Sequence, residues 1–135
     1  MKKILLIILL FVVGCNKTPS IYDRYVKEVK ESTNYTTELP CKIEFYIDNV
    51  NENRIIYQVI IDEPSYELKN VKALVVHNAK TKDIFPSIGI VDEPITLNQD
   101  NKGIILMGYI DKTSDIEFKV LIETDTEKYL YHYSY

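Results

Sequence analysis

From Cys41 onwards, the apolar residues of this chain fall into seven or eight short runs, spaced about 8–15 residues apart. In the first run Cys41, Ile43, Phe45 and Ile47 alternate with polar residues, a period of two that is typical of a half-buried β-strand. The runs span 41–48, 54–62, 68–78, 84–91, 95–97, 104–110, 114–123 and 128–135. No convincing helix interrupts them, and this spacing favours an antiparallel sandwich or barrel. We therefore predict an all-β domain over residues 41–135, a small antiparallel, immunoglobulin-like β-sandwich.

Two of these runs also predict which residues face the core. In 114–123 the inward row is expected to be Ile116, Phe118, Val120 and Ile122. In 68–78 apolar residues occupy both faces, with Val71, Ala73 and Val75 opposed to Leu74 and Val76. The run at 84–91 contains Pro86, so it is expected at an edge or a bulge. The apolar pattern continues after Pro94 with 95–97, so the number of strands is seven or eight.

The segment before the sandwich predicts a short helix. Ser20 followed by Asp23 resembles a capping box, and apolar residues then recur at helical spacing up to about Lys30. We interpret residues 15–40 as a tether, with a short helix that packs on the domain or frays. The alternative is a helix that binds a partner or a membrane surface, but its polar face lacks the basic character of such helices.

The N-terminus has the pattern of an export signal. Lys2 and Lys3 precede an unbroken apolar run, 4–13, which is too short to span a bilayer core of about 30 Å. The sequence Val12-Val13-Gly14-Cys15 that follows resembles the lipobox of bacterial lipoprotein precursors. That resemblance implies lipidation at Cys15, with palmitate among the acyl chains, and removal of residues 1–14 as a signal peptide. The mature chain would then be lipid-anchored to the cell membrane on its extracytoplasmic face.

Composition supports a lipid anchor and argues against nucleic acid as a partner. The formal charge is −4, and it would become −6 without Lys2 and Lys3. Nucleic-acid binders are identified by basic patches, which an acidic chain does not supply. The bias towards Ile and Lys over Ala and Arg, with many Asn and Tyr, is what an AT-rich genome produces. Combined with Asn16 after the lipobox-like Cys15, it resembles a low-GC Gram-positive lipoprotein.

Candidate catalytic and metal-binding groups are few. If Cys15 is lipidated, Cys41 has no disulfide partner and is either buried or a free thiol. Cys41 with His77 or His132 could form a dyad or a soft metal site, but two ordinary strand histidines are the simpler interpretation. We expect no cofactor and no metal.

A short acidic phrase occurs twice, as Asp62-Glu63-Pro64 and Asp92-Glu93-Pro94, thirty residues apart. Its carboxylates could bind Ca²⁺ or act as an acid–base pair. The spacing matches no EF-hand loop, and acids before Pro also end strands. We therefore interpret the phrase as strand punctuation.

The last run carries four tyrosines on one face of a strand, Tyr129, Tyr131, Tyr133 and Tyr135. A tyrosine row could stack on sugars or pack against a peptide, so these residues are the candidate binding site. The alternative is that their rings cover the rim of the core.

Taken together, the sequence predicts a non-catalytic binding lipoprotein whose partner is an envelope protein or a wall polymer. A protective lipoprotein of the immunity or phage-exclusion type, which blocks a membrane target, is a second possibility. A small envelope enzyme that uses Cys41 or the acidic turns is the competing class.

Overall fold

The structure is a computed structural model that describes residues 20–79, 87–113 and 115–135, with backbone only at 87 and 88. Within these residues it contains one helix, α1 (Ile21–Glu31), and seven strands. The strands are β1 (Lys42–Asn51), β2 (Arg54–Asp62), β3 (Leu68–His77), β4 (Ser87–Leu97), β5 (Ile104–Asp111), β6 (Glu117–Glu123) and β7 (Lys128–Ser134). The proposed signal peptide and Cys15 lie outside the described residues.

The described strands form two antiparallel sheets that pack face to face. One sheet has the order β1-β2-β5 and the other the order β4-β3-β6-β7. Side chains from the inner faces of both sheets meet in one large apolar cluster, in which Tyr57 of β2 contacts Phe118 of β6 at 5.1 Å between ring centroids. The predicted all-β class is confirmed.

The predicted core rows of β3 and β6 are also confirmed. Ile116, Phe118, Val120 and Ile122 are all fully buried between the sheets. Burying a side chain such as Phe118 stabilises the fold by about 1.5–3 kcal/mol relative to leaving it in water.

Gly108 of β5 is required by the packing of Tyr57. A Cβ atom built at this position would lie 2.7 Å from Cζ of the Tyr57 ring, closer than real Cβ contacts come. Glycine therefore lets β5 pass directly over the ring.

Helix α1 lies on the outer face of the four-stranded sheet. The predicted capping box is present, since the Ser20 hydroxyl accepts from the Asp23 amide and the Asp23 carboxylate accepts from the Ser20 amide. Val29 is buried against four residues from β3, β6 and β7, and three more residues of the helix pack around it. These are Leu74, Val76, Leu121 and Leu130 from the sheet and Tyr22, Tyr25 and Val26 from the helix.

The fourth run and the piece that follows Pro94 form a single strand. β4 runs continuously from Ser87 to Leu97, because it is an edge strand in which a proline need not donate a ladder hydrogen bond. Val71 pairs with Ile95 and Ala73 with Ile90, so five steps along β4 oppose two along β3. The extra residues form a bulge that contains Pro94; Pro86 lies outside the described residues.

Candidate interaction surface

The predicted tyrosine row lies on the inner face of β7. The register pairs Tyr129, Tyr131 and Tyr133 with the inward-facing Ile122, Val120 and Phe118 of β6. Directly opposed residues point to the same face of a sheet, so the three rings point towards the core.

The environment of each ring agrees with this placement. Tyr129 is buried, Tyr131 and Tyr133 are partly buried against the core, and Tyr135 is half-exposed. The Tyr133 ring stacks on Phe45 of β1 at 4.3 Å between centroids and 7° between planes. The rings therefore cover the core rim, and their use as a binding site stays a prediction.

Tyr129 also belongs to a small group of hydrogen-bonded side chains. Its hydroxyl donates to the Glu127 carboxylate and lies 3.2 Å from the hydroxyl of the exposed Tyr66. The pKa of Tyr129 is raised above its ordinary value, most by the hydrogen bond to Glu127 and next by the one to Tyr66.

Cys41 is buried at the start of β1. Burial, with a smaller contribution from Asp62, raises the pKa of its thiol to about 11. The group is therefore a neutral thiol near pH 7, which is the weakly nucleophilic form.

The structure does not bring Cys41 and His77 together. Cys41 lies next to Lys42, which pairs with Asp62 at the end of β2. His77 packs instead on Tyr57, which lies five residues before Asp62 on the same strand. Five residues of extended strand span about 17 Å. His132 lies on β7, where its ring packs against Tyr35 at 4.9 Å.

His77 is a buried imidazole at the end of β3. It packs edge-on against the rings of Tyr57 and Phe118, and burial lowers its pKa to about 4. Its Nδ1 has no hydrogen-bond partner among the described residues. The side chain borders a cavity of about 350 Å³ that Lys30, Asn78 and Lys119 also line.

The two acidic phrases occupy different structural positions. β2 ends at Asp62, and Glu63 takes a φ of 48° as the chain turns, so strand punctuation describes the first copy. It is wrong for the second copy, because Asp92 and Glu93 lie exposed in the bulge of β4. Among the described residues, no three His, Cys, Asp or Glu side chains come close enough to hold a metal ion.

The outer face of the three-stranded sheet is the feature that the sequence analysis missed. We call it the bare face, and it comprises the outward side chains of β1, β2 and β5. The register arranges them in three rows across the sheet, Asp48–Ile56–Tyr109, Tyr46–Gln58–Met107 and Glu44–Ile60–Ile105. No described element lies over these rows.

Large apolar side chains are exposed on the bare face. The exposed fractions are 54% for Tyr46, 61% for Ile105, 49% for Met107 and 50% for Tyr109. The β1 margin carries Glu44 and Asp48, whereas the outward residues 105, 107 and 109 of β5 are uncharged. The patch is thus apolar towards β5 and acidic towards β1. The run 104–110 did indicate this face in the sequence. It is apolar at almost every position, although a sandwich strand needs only one apolar face.

Comparison with protein-family models, with curated proteins and with solved structures finds no match for this chain. Among the described residues, no helix is both long enough and apolar enough to cross a bilayer.

Proposed function

We propose that this chain is a lipoprotein, anchored through Cys15 on the extracytoplasmic face of the cell membrane, whose sandwich binds another envelope protein through the bare face. The anchor is supported by the lipobox-like sequence Val12-Val13-Gly14-Cys15. The binding role is supported by one observation, the group of exposed apolar side chains on the three-stranded sheet. Contiguous exposed apolar surface on a folded domain is typical of interaction sites.

The chemistry of the bare face favours a protein over a wall polymer as the partner. Tyr46, Tyr109 and Met107 are residue types that are enriched at protein interfaces. At the β1 margin Asp48 would complement a basic residue at the rim of the partner, whereas Glu44 is already paired with Lys42 at 2.6 Å. A wall polymer offers mainly polar groups, which would leave Ile105 and Met107 without apolar contacts.

We further propose that the sandwich is of the immunoglobulin-like kind. The first, second and fifth strands share one sheet, and the third, fourth, sixth and seventh share the other. In immunoglobulin-like sandwiches the third, sixth and seventh strands likewise lie in the sheet opposite the first, second and fifth.

A non-catalytic role is favoured by the state of the groups that the enzyme alternative would use. The Cys41 thiol is buried and held protonated by its raised pKa. No described imidazole is in contact with it, and a cysteine nucleophile needs an adjacent base or a lowered pKa.

The anchor is tested by metabolic labelling with palmitate. Cys15→Ser should lose the label, because the thioether that carries the lipid requires the sulfur, whereas the matched variant Cys41→Ser should keep it. Equal labelling of Cys15→Ser and the unchanged chain would contradict the proposed anchor.

The binding role is tested by capture from an envelope extract. The double variant Tyr46→Ser/Tyr109→Ser should capture less partner while its melting temperature stays nearly constant, since both side chains are half-exposed. The matched control is Tyr35→Ser/Tyr66→Ser, which removes two exposed tyrosines from other parts of the surface. Equal capture by both double variants would contradict a binding role for the bare face.

A further inference from the structure

β5 is an edge strand without the usual protection against further pairing. It ends the order β1-β2-β5, and no described residue forms a backbone hydrogen bond on the outer side of 104–110. The sequence Ile-Ile-Leu-Met-Gly-Tyr-Ile from Ile104 to Ile110 contains no charge and no proline. Natural edge strands normally carry such residues, because they prevent pairing with another chain.

The other three edges of the sandwich each carry some protection. β1 has Lys42, Glu44 and Asp48 along its outward row. β4 is bulged around Pro94 and carries Asp92 and Glu93. On β7, the Thr36 amide donates to the Leu130 carbonyl and the Thr36 hydroxyl accepts from the Leu130 amide, so the preceding segment covers part of that edge. β5 is therefore distinct among the described edges.

We propose that two copies of this chain pair antiparallel through β5, with Met107 of each copy on the two-fold axis. The two three-stranded sheets then become one six-stranded sheet. The pairing concerns this chain alone and does not depend on the partner proposed above.

The sequence of β5 is complementary to itself in this register. On the outer face Ile105 lies opposite Tyr109 of the second copy, an aromatic and β-branched pair of the kind that stabilises antiparallel sheets. On the inner side Ile104 lies opposite Ile110, and Leu106 lies opposite Gly108. Every pair within 104–110 is therefore apolar or glycine, and no charge is buried.

The nearest charges lie at the two ends of the paired strands. Lys102 would come opposite Lys112 of the second copy, beyond the paired segment 104–110. Both ammonium groups are exposed, so salt screens the repulsion between them.

The distribution of polarity across the bare face also favours an interface at β5. Apart from Tyr46 on β1, the apolar residues of this face lie on β2 and β5, and Glu44 and Asp48 lie on β1. Pairing through β5 places the two apolar regions side by side and both acidic margins at the far edges. Pairing through β1 would bring Glu44 and Asp48 of the two copies together.

Disulfide formation between single cysteines tests both the pairing and its register. Opposed residues of an antiparallel pair have Cα atoms about 4.5–5.5 Å apart, within the range of about 4.4–6.8 Å that a disulfide bridges. In the full chain in membranes, mild oxidation of Met107→Cys should therefore give a disulfide-linked dimer as the main product. The chain without the new cysteine is the baseline, and Lys27→Cys on the exposed side of α1 controls for random collision.

Neighbouring positions provide a control for the register. Ile105 lies four residues from its own symmetry mate along the strands, about 13 Å, so Ile105→Cys alone should not cross-link. A mixture of Ile105→Cys and Tyr109→Cys chains should give the mixed dimer. Because all three side chains are exposed, these substitutions are compatible with folding, which a far-ultraviolet spectrum would verify.

Cross-linking at Met107→Cys and in the mixed pair, without cross-linking at Ile105→Cys alone, supports the antiparallel pairing. Folded Met107→Cys that stays monomeric, or that cross-links only to a different protein, overturns it. Equal cross-linking at all positions, including Lys27→Cys, shows random collision and overturns it as well.

Discussion

The two outer faces of the sandwich are both rich in apolar side chains, but only one of them is covered. On the four-stranded sheet, Leu74 and Val76 lie beneath α1 with at most a few per cent of their surface exposed. On the three-stranded sheet, Ile105 and Met107 occupy corresponding outward positions and keep about half or more of their surface in water. Helix α1 thus covers the apolar side chains of one sheet, whereas the outward apolar side chains of the other sheet stay in water.

Polar contacts show how the covered face is fixed. Tyr25 of α1 donates to Glu123 of β6 at 2.9 Å, and the Lys119 ammonium donates to the backbone carbonyls of Lys30 and Ser32 at 2.9 and 2.7 Å. A cation at a helix C-terminus is favoured by the helix dipole. The bare face has no such links to another element within the described part of the chain, so its residues are held only by their own strands.

The largest expected effect comes from the covered face. Leu74→Ala should lower the free energy of unfolding by about 2–5 kcal/mol, because Leu74 is 1% exposed and truncation leaves a cavity under α1. Denaturant unfolding measures the change. A loss below about 1 kcal/mol would show that α1 does not pack on this face as described.

His77, at the end of the central strand β3, should make stability depend on pH. Its folded-state pKa of about 4 lies below the unfolded value of about 6.5. As pH falls from about 6.5 to about 4, the unfolded chain takes up a proton that the folded chain does not, so the contribution to stability falls by about 3 kcal/mol.

Unfolding curves between pH 7 and pH 4 measure this slope. His77→Gln should have a shallower slope than the unchanged chain, and His132→Gln is the matched control, since it removes the other imidazole. Identical slopes for His77→Gln and the unchanged chain would contradict the burial of His77.

A Tyr→Phe substitution on each outer face removes one hydroxyl and leaves the shape of the side chain nearly unchanged. Tyr25→Phe should cost about 1–3 kcal/mol, because the partly buried Glu123 loses a hydrogen bond beneath α1. Tyr46→Phe is the matched change on the bare face, where the hydroxyl makes a longer, exposed hydrogen bond to Glu44. Thermal unfolding of both variants should show a loss for Tyr25→Phe only, and equal losses would remove the distinction.

The smallest expected effect is truncation on the bare face. At protein concentrations where the chain is monomeric, Ile105→Ala should change the free energy of unfolding by no more than about 0.5 kcal/mol, since 61% of the side chain is already in water. A loss as large as that of Leu74→Ala would mean that something covers Ile105.

The strands were predicted well where an alternating apolar pattern is bounded by turn residues. Phe118 and its row alternate cleanly, and both faces of β3 proved to be buried, as the two apolar sets of that strand indicated. The sequence left open whether one strand continues past Pro94, because a proline that ends a central strand is tolerated at the bulged edge of a sheet.

The orientation of the tyrosine row depended on information beyond its own strand. Its alternation specifies that Tyr129, Tyr131 and Tyr133 share a face, but the pairing with β6 decides that this face is the inner one. The exposure of the bare face could not be predicted from the sequence either. Exposed Ile105 and Met107 look like core residues in a sequence, because which face of a sheet is covered depends on where distant elements pack.

The central claim is that the bare face, and not the exposed side of α1, makes contacts with other proteins. Site-specific photo-crosslinking in membranes tests it directly, with a photoreactive amino acid placed in the full chain at Met107 or, in a separate variant, at Lys27. If the bare face is the contact surface, position 107 should give specific adducts, to a second copy or to another envelope protein, and position 27 should give none. Adducts from position 27 with none from position 107 would contradict it.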